Sequence, residues 1–125
     1  MENFDYCIHN YTFNSLFSIC SSALQVDGAF GVAAAVAEML LQSHENALYF
    51  LPALPRSWTK GEATGLCGRG GFEVSLKWAD GALQEARIYS KNEKRCRIRT
   101  SLPLKARWNG KAVRCARPEK DVLEF

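Results

Sequence analysis

The first 45 residues contain no lysine or arginine, although the chain of 125 residues has 16 of them. This segment holds five of the 13 acids, namely Glu2, Asp5, Asp27, Glu38 and Glu45. Residues 46–125 therefore combine all 16 bases with the other eight acids, and the formal charges of the two segments are −5 and +8. Such an asymmetry predicts two structural units that meet near residue 45. Because the N-terminus lacks a basic segment, no signal peptide is visible.

Long apolar runs are also lacking. The longest, at about 32–41, is interrupted by Glu38, whereas a transmembrane helix needs about 20 mostly apolar residues. We therefore predict a soluble chain with no membrane partner.

The five cysteines form no Cys-x-x-Cys pair, and neither histidine stands at ligand spacing from them. They are Cys7, Cys20, Cys67, Cys96 and Cys115. This spacing does not fit a zinc site, and we expect neither a metal nor a cofactor. An odd count leaves at least one thiol outside any intrachain disulfide. We expect all five cysteines to be free and buried, because a reduced cysteine packs as a small apolar side chain.

The apolar residues that follow Gly31 have the period of a helix. Val32, Val36, Met39 and Leu40 recur at three- and four-residue spacing, which predicts a helix at about 30–43. The opposite side is rich in alanine, so this helix is apolar almost all round and requires cover on several sides. Residues 1–24 show no clear period.

The apolar period changes to two after Leu48. Phe72–Trp78 alternates apolar with polar residues and predicts a half-buried strand. Asp80-Gly81 and Asn109-Gly110 predict type I′ hairpin turns, and Val122-Leu123 predicts a closing edge strand. Turn signals every eight to twelve residues are typical of an antiparallel β-sandwich. The sequence thus predicts a mixed α+β fold, with one helix followed by a sandwich.

The densest group of cations consists of Lys91, Lys94, Arg95, Arg97 and Arg99. The arginines alternate with less polar residues, which predicts a strand with a basic face toward solvent. No helix-turn-helix, zinc-finger or RNA-recognition motif accompanies them, and we therefore expect no nucleic-acid partner.

One acid lies between two glycines directly ahead of the predicted helix, in the segment Gln25-Val26-Asp27-Gly28-Ala29-Phe30-Gly31. A carboxylate at a helix start is favoured by the unpaired N–H groups there, so a cap is the simplest interpretation of Asp27. Two further blocks follow: Leu51-Pro52-Ala53-Leu54-Pro55, with Trp58 behind it, and the glycine-rich segment 65–74.

In order and spacing these three blocks resemble the C-terminal end of glycoside hydrolase family 95, the inverting 1,2-α-L-fucosidases. The family motif reads approximately Gln-Ile-Asp-Gly-Asn-Phe-Gly, ahead of a helix that ends in Ala-Glu-Met-Leu-Leu-Gln-Ser, and the likeness covers about residues 14–90. It implies that residues 1–45 end an (α/α)6-barrel catalytic domain and that residues 46–125 form a C-terminal β-sandwich domain. The chain would then be the last part of a much larger enzyme, whose relatives are often extracytoplasmic.

The resemblance implies that Asp27 is the general base for hydrolysis of an α-L-fucosidic bond with inversion, and that a fucosylated glycan is the substrate of the full-length enzyme. The family's general acid lies far upstream of this segment, so we expect this chain to be inactive by itself. Ala29 replaces the family's asparagine, and Ser21-Ser22-Ala23-Leu24 stands where the family has His-Pro-Pro-Phe. These departures leave a related L-sugar, such as L-galactose, open as the substrate.

Other residues favour structural interpretations. Glu38 lies about 16 Å along the same helix from Asp27, too far to act as its acid partner. His44 is expected to end the helix, where a cation is favoured, and His9 also receives a structural interpretation. Trp58 could stack on a sugar, whereas Trp78 and Trp108 are expected in the core.

Two further chemistries find no support in the sequence. Cys20, Ser21 and Ser22 have no histidine at a diagnostic spacing, so nucleophilic catalysis is not indicated. The motif Gly68-x-Gly70-Gly71 precedes a strand rather than a helix, so it is not a phosphate loop.

The alternative function is a non-catalytic carbohydrate-binding or structural β-domain, with residues 1–45 as an adapter. Exposed aromatic side chains along one sheet face would favour it. If no barrel covers the apolar helix, we expect residues 1–24 to dock over it or two chains to form a homodimer through it, because large exposed apolar patches are rare on monomers.

Overall fold

The computed structural model of the chain describes residues 2–13, 18–20, 23–92, 94–100 and 104–125. Within these ranges there are two α-helices, α1 (Glu2–Tyr11) and α2 (Val26–Leu40). The strands ahead of α2 are β1 (Ser18–Cys20) and β2 (Ala23–Gln25). Those after it are β3 (Leu41–Gln42), β4 (Leu48–Phe50), β5 (Lys60–Gly68), β6 (Phe72–Ala79), β7 (Ala82–Ser90), β8 (Arg97–Arg99), β9 (Ala106–Trp108), β10 (Lys111–Val113), β11 (Ala116–Glu119) and β12 (Val122–Glu124). The predicted mixed α+β class is confirmed.

The backbone divides into two compact units, Met1–Glu38 and Met39–Phe125. The boundary that the charge asymmetry places near residue 45 stays a prediction. In the first unit, α1 was not predicted, because polar side chains rather than an apolar period support it. His9 Nδ1 lies 2.8 Å from the carbonyl oxygen of Asp5, and Asn10 donates to the carbonyl of Tyr6 at 2.8 Å. The contact of His9 with the Asp5 carbonyl, within the same helix, supports the structural interpretation of His9.

Helix α2 begins four residues earlier and ends three residues earlier than the predicted range of 30–43. It ends at Leu40 because Leu41 and Gln42 form β3, which pairs antiparallel with β4. Leu51 donates from its backbone N–H to the carbonyl of Leu40 at 2.8 Å and closes this turn of the chain. The prediction that His44 ends the helix is therefore wrong, since His44 lies in a short 3₁₀ turn beyond β3. Among the described helices none is long and apolar enough to cross a membrane.

Strands β5, β6 and β7 form a three-stranded antiparallel sheet with β6 at its centre. The alternation predicted for β6 is present: Phe72, Val74, Leu76 and Trp78 are all buried. The turn between β6 and β7 has positive φ at Asp80 and Gly81, 53° and 69°, as a type I′ turn requires. The local sequence therefore predicted this sheet correctly, both in its alternation and in its first hairpin turn.

The second large sheet has five strands in the order β11-β12-β8-β4-β3. Leu48, Ile98 and Leu123 are register partners across its three central strands, and all three are buried. The pairing of β4 with β8 is parallel, which differs from the purely antiparallel prediction. The physical reason is the connection: β5, β6 and β7 lie between the two strands in the chain, and a parallel pair needs such a long crossover. Strand β12 was predicted to lie at an edge, but it is an internal strand of this sheet. The edge next to it is formed by β11.

Strands β9 and β10 form a separate two-stranded hairpin. Its turn has positive φ at Asn109 and Gly110, 48° and 77°, as predicted. The expectation that Trp108 is core is wrong, since this residue is 68% exposed, whereas Trp78 is 7% exposed. The alternation around Trp108 is that of a strand, but β9 pairs only with β10 in this sheet.

The cysteines differ from the expectation that all are buried. Cys7, Cys67 and Cys115 are free and exposed, and Cys96 is free and half-buried. The side chain of Cys20 lies outside the described residues. Burial raises the pKa of the Cys96 thiol to about 11, because it disfavours the thiolate.

We predict that Cys96 reacts slowly with a disulfide reagent such as DTNB. At pH 8 only about one thousandth of a thiol with this pKa is deprotonated. A variant that keeps only Cys96 should react at least about a hundredfold more slowly than one that keeps only Cys67. Its rate should rise about tenfold per pH unit toward pH 11. Equal rates for the two variants in the folded protein would contradict this.

We also predict that Gly61→Ala destabilises the second unit. The Trp78 indole donates to the carbonyl of Trp58 at 2.9 Å, and its ring lies against Gly61 so closely that a Cβ there would overlap it. The expected loss is about 1–3 kcal/mol in the free energy of unfolding, measured with denaturant. In a Trp78→Phe background the same change should cost less, because the overlapping ring is gone. An undiminished cost there would show that the Trp78 ring is not the cause.

Candidate functional site

The predicted site residue Asp27 lies in the first turn of α2, and its side chain is exposed. The β1–β2 hairpin runs into the helix without an intervening residue, since β2 ends at Gln25 and α2 begins at Val26. The unpaired N–H groups of a first helical turn favour a carboxylate in this position. The local geometry therefore fits a structural role, and it also leaves the carboxylate open to solvent and ligands.

Phe30 and Gly31 share a helix face with Asp27, because they follow it by three and four residues. The Phe30 side chain is 71% exposed. Apart from Gly31 itself, its two chain neighbours and the nearby backbone of the helix, no atom of the described residues lies within 4 Å of the place where a Cβ on Gly31 would be. The carboxylate thus stands beside an accessible aromatic ring and an open stretch of backbone. Such a surface can stack against the apolar face of a sugar while the carboxylate takes a proton.

The sequence pattern alone indicates no role for Phe30, although the residue is part of the motif around Asp27. Its three-residue spacing from Asp27 was the available signal. What the sequence did not show is that Phe30 remains exposed on the first unit instead of packing inside it.

The second carboxylate that an inverting hydrolysis requires is not Glu38. The two carboxyl groups of an inverting pair are about 6.5–9.5 Å apart. Glu38 follows Asp27 on the same continuous helix at a rise of about 16 Å. The structure therefore does not bring Glu38 within the distance from Asp27 that an inverting pair requires.

The remaining sequence candidates lie elsewhere. Ser21 and Ser22 are outside the described residues. Trp58 is half-buried and accepts the hydrogen bond from the Trp78 indole, which gives it a structural contact. Nowhere in the described ranges do three histidine, cysteine or acidic residues come together in a group that could hold a metal.

The second unit has a polar cleft of about 230 Å³ that includes His44. Gln42, Tyr49 and Arg99 are register partners across β3, β4 and β8, so they lie in one row on the sheet face opposite Leu48. Glu45 borders the same cleft and forms an ion pair with Arg99. Its φ of 56° is unusual for a residue other than glycine. Asp27 does not line this cleft.

Comparison with known proteins matches residues 42–125 to the family model described as glycoside hydrolase family 95, C-terminal domain. Alpha-L-fucosidase 2 of Arabidopsis thaliana is 44% identical over 105 aligned residues, which cover 77% of this chain. The chain spans 12% of the length of that curated relative. The resemblance seen in the sequence is confirmed. Asp27 lies ahead of the segment that the family model matches.

We predict that the exposed apolar surface of α2 drives self-association of the isolated chain. Val26 and Phe30 on α2 are exposed, as is Leu24 just ahead of it on β2, and Leu40 is the one buried residue of the helix. Sedimentation velocity over a range of concentrations should show a dimer, and Phe30→Ser should lower its population because it removes the largest apolar contact. Tyr89→Ser, at an equally exposed aromatic on β7, serves as the control. A chain that stays monomeric at every concentration would contradict this.

Proposed function

This chain belongs to glycoside hydrolase family 95, and we propose that it is the C-terminal part of an enzyme that hydrolyses α-L-fucosidic bonds, or those of a closely related L-sugar, with inversion. The family match and the identity to a protein named alpha-L-fucosidase support the class of reaction. The observation that carries the catalytic part of the proposal is the exposed carboxylate of Asp27 at the start of α2, beside Phe30 and Gly31.

In the proposed reaction Asp27 accepts a proton from a water molecule as that water attacks the anomeric carbon. The bond from this carbon to the leaving oxygen breaks, and a general acid protonates that oxygen. Glu38 is too distant to supply this proton, and the resemblance to the family implies that the general acid lies in a part of the enzyme beyond this chain. Phe30 is proposed to hold the sugar ring beside the carboxylate. Without the general acid the rate falls by about 10²–10⁴, so the isolated chain is expected to be inactive.

We propose further that residues 1–45 complete the helical barrel of the catalytic domain and that residues 46–125 form its C-terminal β-domain. The exposure of α2 supports this assignment. A helix that is apolar almost all round is stable in a place where other helices cover it. In a barrel the faces that carry Val26 and Phe30 would receive such cover or face the substrate.

The alternative, a non-catalytic carbohydrate-binding domain, requires aromatic side chains along one sheet face. Three exposed aromatic residues lie on strands of the second unit, namely Tyr49, Tyr89 and Trp108. They belong to three different sheets, since Tyr49 is on β4, Tyr89 on β7 and Trp108 on β9. This distribution does not support a flat aromatic platform, and we favour the catalytic proposal.

The proposal predicts that Asp27 is required for turnover in a complete enzyme. In a chimera, this chain replaces the corresponding C-terminal segment of the Arabidopsis relative, and release of fucose from a 2′-fucosylated oligosaccharide is measured. Asp27→Asn should lower kcat by at least about 10²–10⁴ while binding of the same sugar survives, because the amide keeps the shape and loses the basicity. Glu38→Gln is the matched control on the same helix and should change kcat by less than about threefold.

Two results would contradict the assignment. If the Asp27→Asn chimera turns over near the rate of the parent chimera, Asp27 is a helix cap. If Asp27→Asn and Glu38→Gln lower activity and thermal stability together, the effect is on folding rather than on proton transfer.

A further inference from the structure

A second cleft of about 230 Å³ in the β-rich unit is lined by four cationic side chains. They are Arg69, Lys94, Arg95 and Arg97, and Ser43 and Asn46 add polar groups. We refer to this site as the basic cleft. None of the described residues that line it is acidic. The four cations come from two parts of the chain, the β5–β6 turn and the run 94–97 that leads into β8, which converge on one small space.

The backbone positions of these cations are fixed by hydrogen bonds. The N–H of Arg69 donates to Ser43 Oγ at 3.0 Å, and the N–H of Lys94 donates to Ser90 Oγ at 3.1 Å. The Asn92 amide donates to the carbonyl of Gly70 at 3.3 Å. The two turns that present Arg69 and Lys94 are thereby tied in place. A ligand that binds between them would not have to order these loops, which lowers the entropic cost of binding.

The glycine motif Gly68-x-Gly70-Gly71 shapes the turn that carries Arg69. Gly70 has a φ of +93° and Gly71 one of +86°, which side chains rarely adopt. A Cβ on Gly68 would lie 2.9 Å from Leu48, so this residue allows the turn to approach β4 closely. The motif therefore brings Arg69 to the cleft and does not bind an anion through a helix N-terminus.

Positive charge is in excess at this site. Glu124 contacts two of these cations, at 3.1 Å from Arg95 Nη1 and 3.9 Å from Arg97 Nε. Among the described residues that line the basic cleft, four are cations and none is an acid. Other cations of the same unit, Lys77 and Lys91, instead pair one-to-one with glutamates at 3.2 Å. A concave site with one sign of charge concentrates the field and attracts an anion.

The size of the cleft limits the ligand. It is smaller than the roughly 300–1,000 Å³ of sites that enclose a drug-sized molecule. It therefore suits one charged unit of a larger ligand. Arginine side chains match a planar carboxylate, because their guanidinium groups donate two parallel hydrogen bonds to it. A nucleic acid is a poorer fit, since its affinity depends on many phosphate contacts along an extended surface.

We propose that the basic cleft binds a uronate unit of an acidic glycan, through contacts of its carboxylate with Arg69, Lys94 and their neighbours. The choice of a sugar as the carrier of the carboxylate rests on the proposed function. The charge and the geometry of the cleft do not depend on it. The site would hold an acidic polysaccharide to the β-domain.

Calorimetric titration of the 125-residue chain with trigalacturonate tests this proposal. We expect binding that weakens as salt is added, and no binding of the neutral methyl ester of the same trisaccharide. Arg69→Gln combined with Lys94→Gln should weaken binding about tenfold. Arg107→Gln combined with Lys111→Gln removes the same charge from the β9–β10 hairpin and should change affinity by less than about twofold. Circular dichroism melting of both variants checks that they remain folded.

Three outcomes would overturn the proposal: no binding of trigalacturonate, equal binding of the ester, or equal losses in the two double variants. Tighter binding of a single-stranded oligonucleotide of the same charge would also overturn it, in favour of a general polyanion surface. The titration involves no turnover, so its failure leaves the role of Asp27 untouched. Conversely, if the Asp27→Asn chimera turned over normally, the catalytic proposal would fail, but the binding result for the basic cleft would still stand.

Discussion

The second unit depends on the parallel pairing of β4 with β8. This pair places Leu48 beside Ile98, and β12 adds Leu123 to the same buried row. The strands β5, β6 and β7 lie between β4 and β8 in the chain and provide the long connection that a parallel pair requires. The pairing also positions both clefts, since Tyr49 and Arg99 line one of them, and Leu48 and Arg97 line the other. Disrupting the Leu48 row would therefore remove both potential binding sites together.

The first unit is under a different constraint. Helix α2 combines an apolar surface with an exposed Asp27, and its apolar residues Val26 and Phe30 remain uncovered. Burial of such a helix stabilises it through removal of apolar area from water, at about 25 cal/mol per Å². The same burial would change what Asp27 faces. In the proposed enzyme, the helices that cover α2 also complete the site around Asp27. This arrangement explains why a catalytic carboxylate would lie next to apolar side chains that are exposed in this chain.

The sequence predicted what local patterns determine. Alternation gave β6, and Asp80-Gly81 gave its hairpin turn, because both depend on neighbours in the chain. The sequence-based prediction failed where the pairing of strands that are distant in the chain determines which side chains are buried. Trp78 and Trp108 follow similar local patterns, yet one is 7% and the other 68% exposed, since β6 has partners on both sides and β9 has one. The candidate site divides in the same way: the position of Asp27 at a helix start was visible in the motif, whereas the exposure of Phe30 was not.

The basic segment ahead of and within β8 shows why charge patterns alone are insufficient. Arg95, Arg97 and Arg99 were predicted to form one solvated face, but the structure gives them different surroundings. Arg99 pairs with Glu45, whereas Arg95 and Arg97 share Glu124. These acids are 54 and 29 or 27 residues away in the chain, so no local pattern reports them. One alternating run thereby contributes to two different clefts: a polar cleft in which Arg99 pairs with Glu45, and a basic cleft whose described lining has four cations and no acid. The surroundings of each residue in a basic run therefore depend on which acidic residues the fold places beside it.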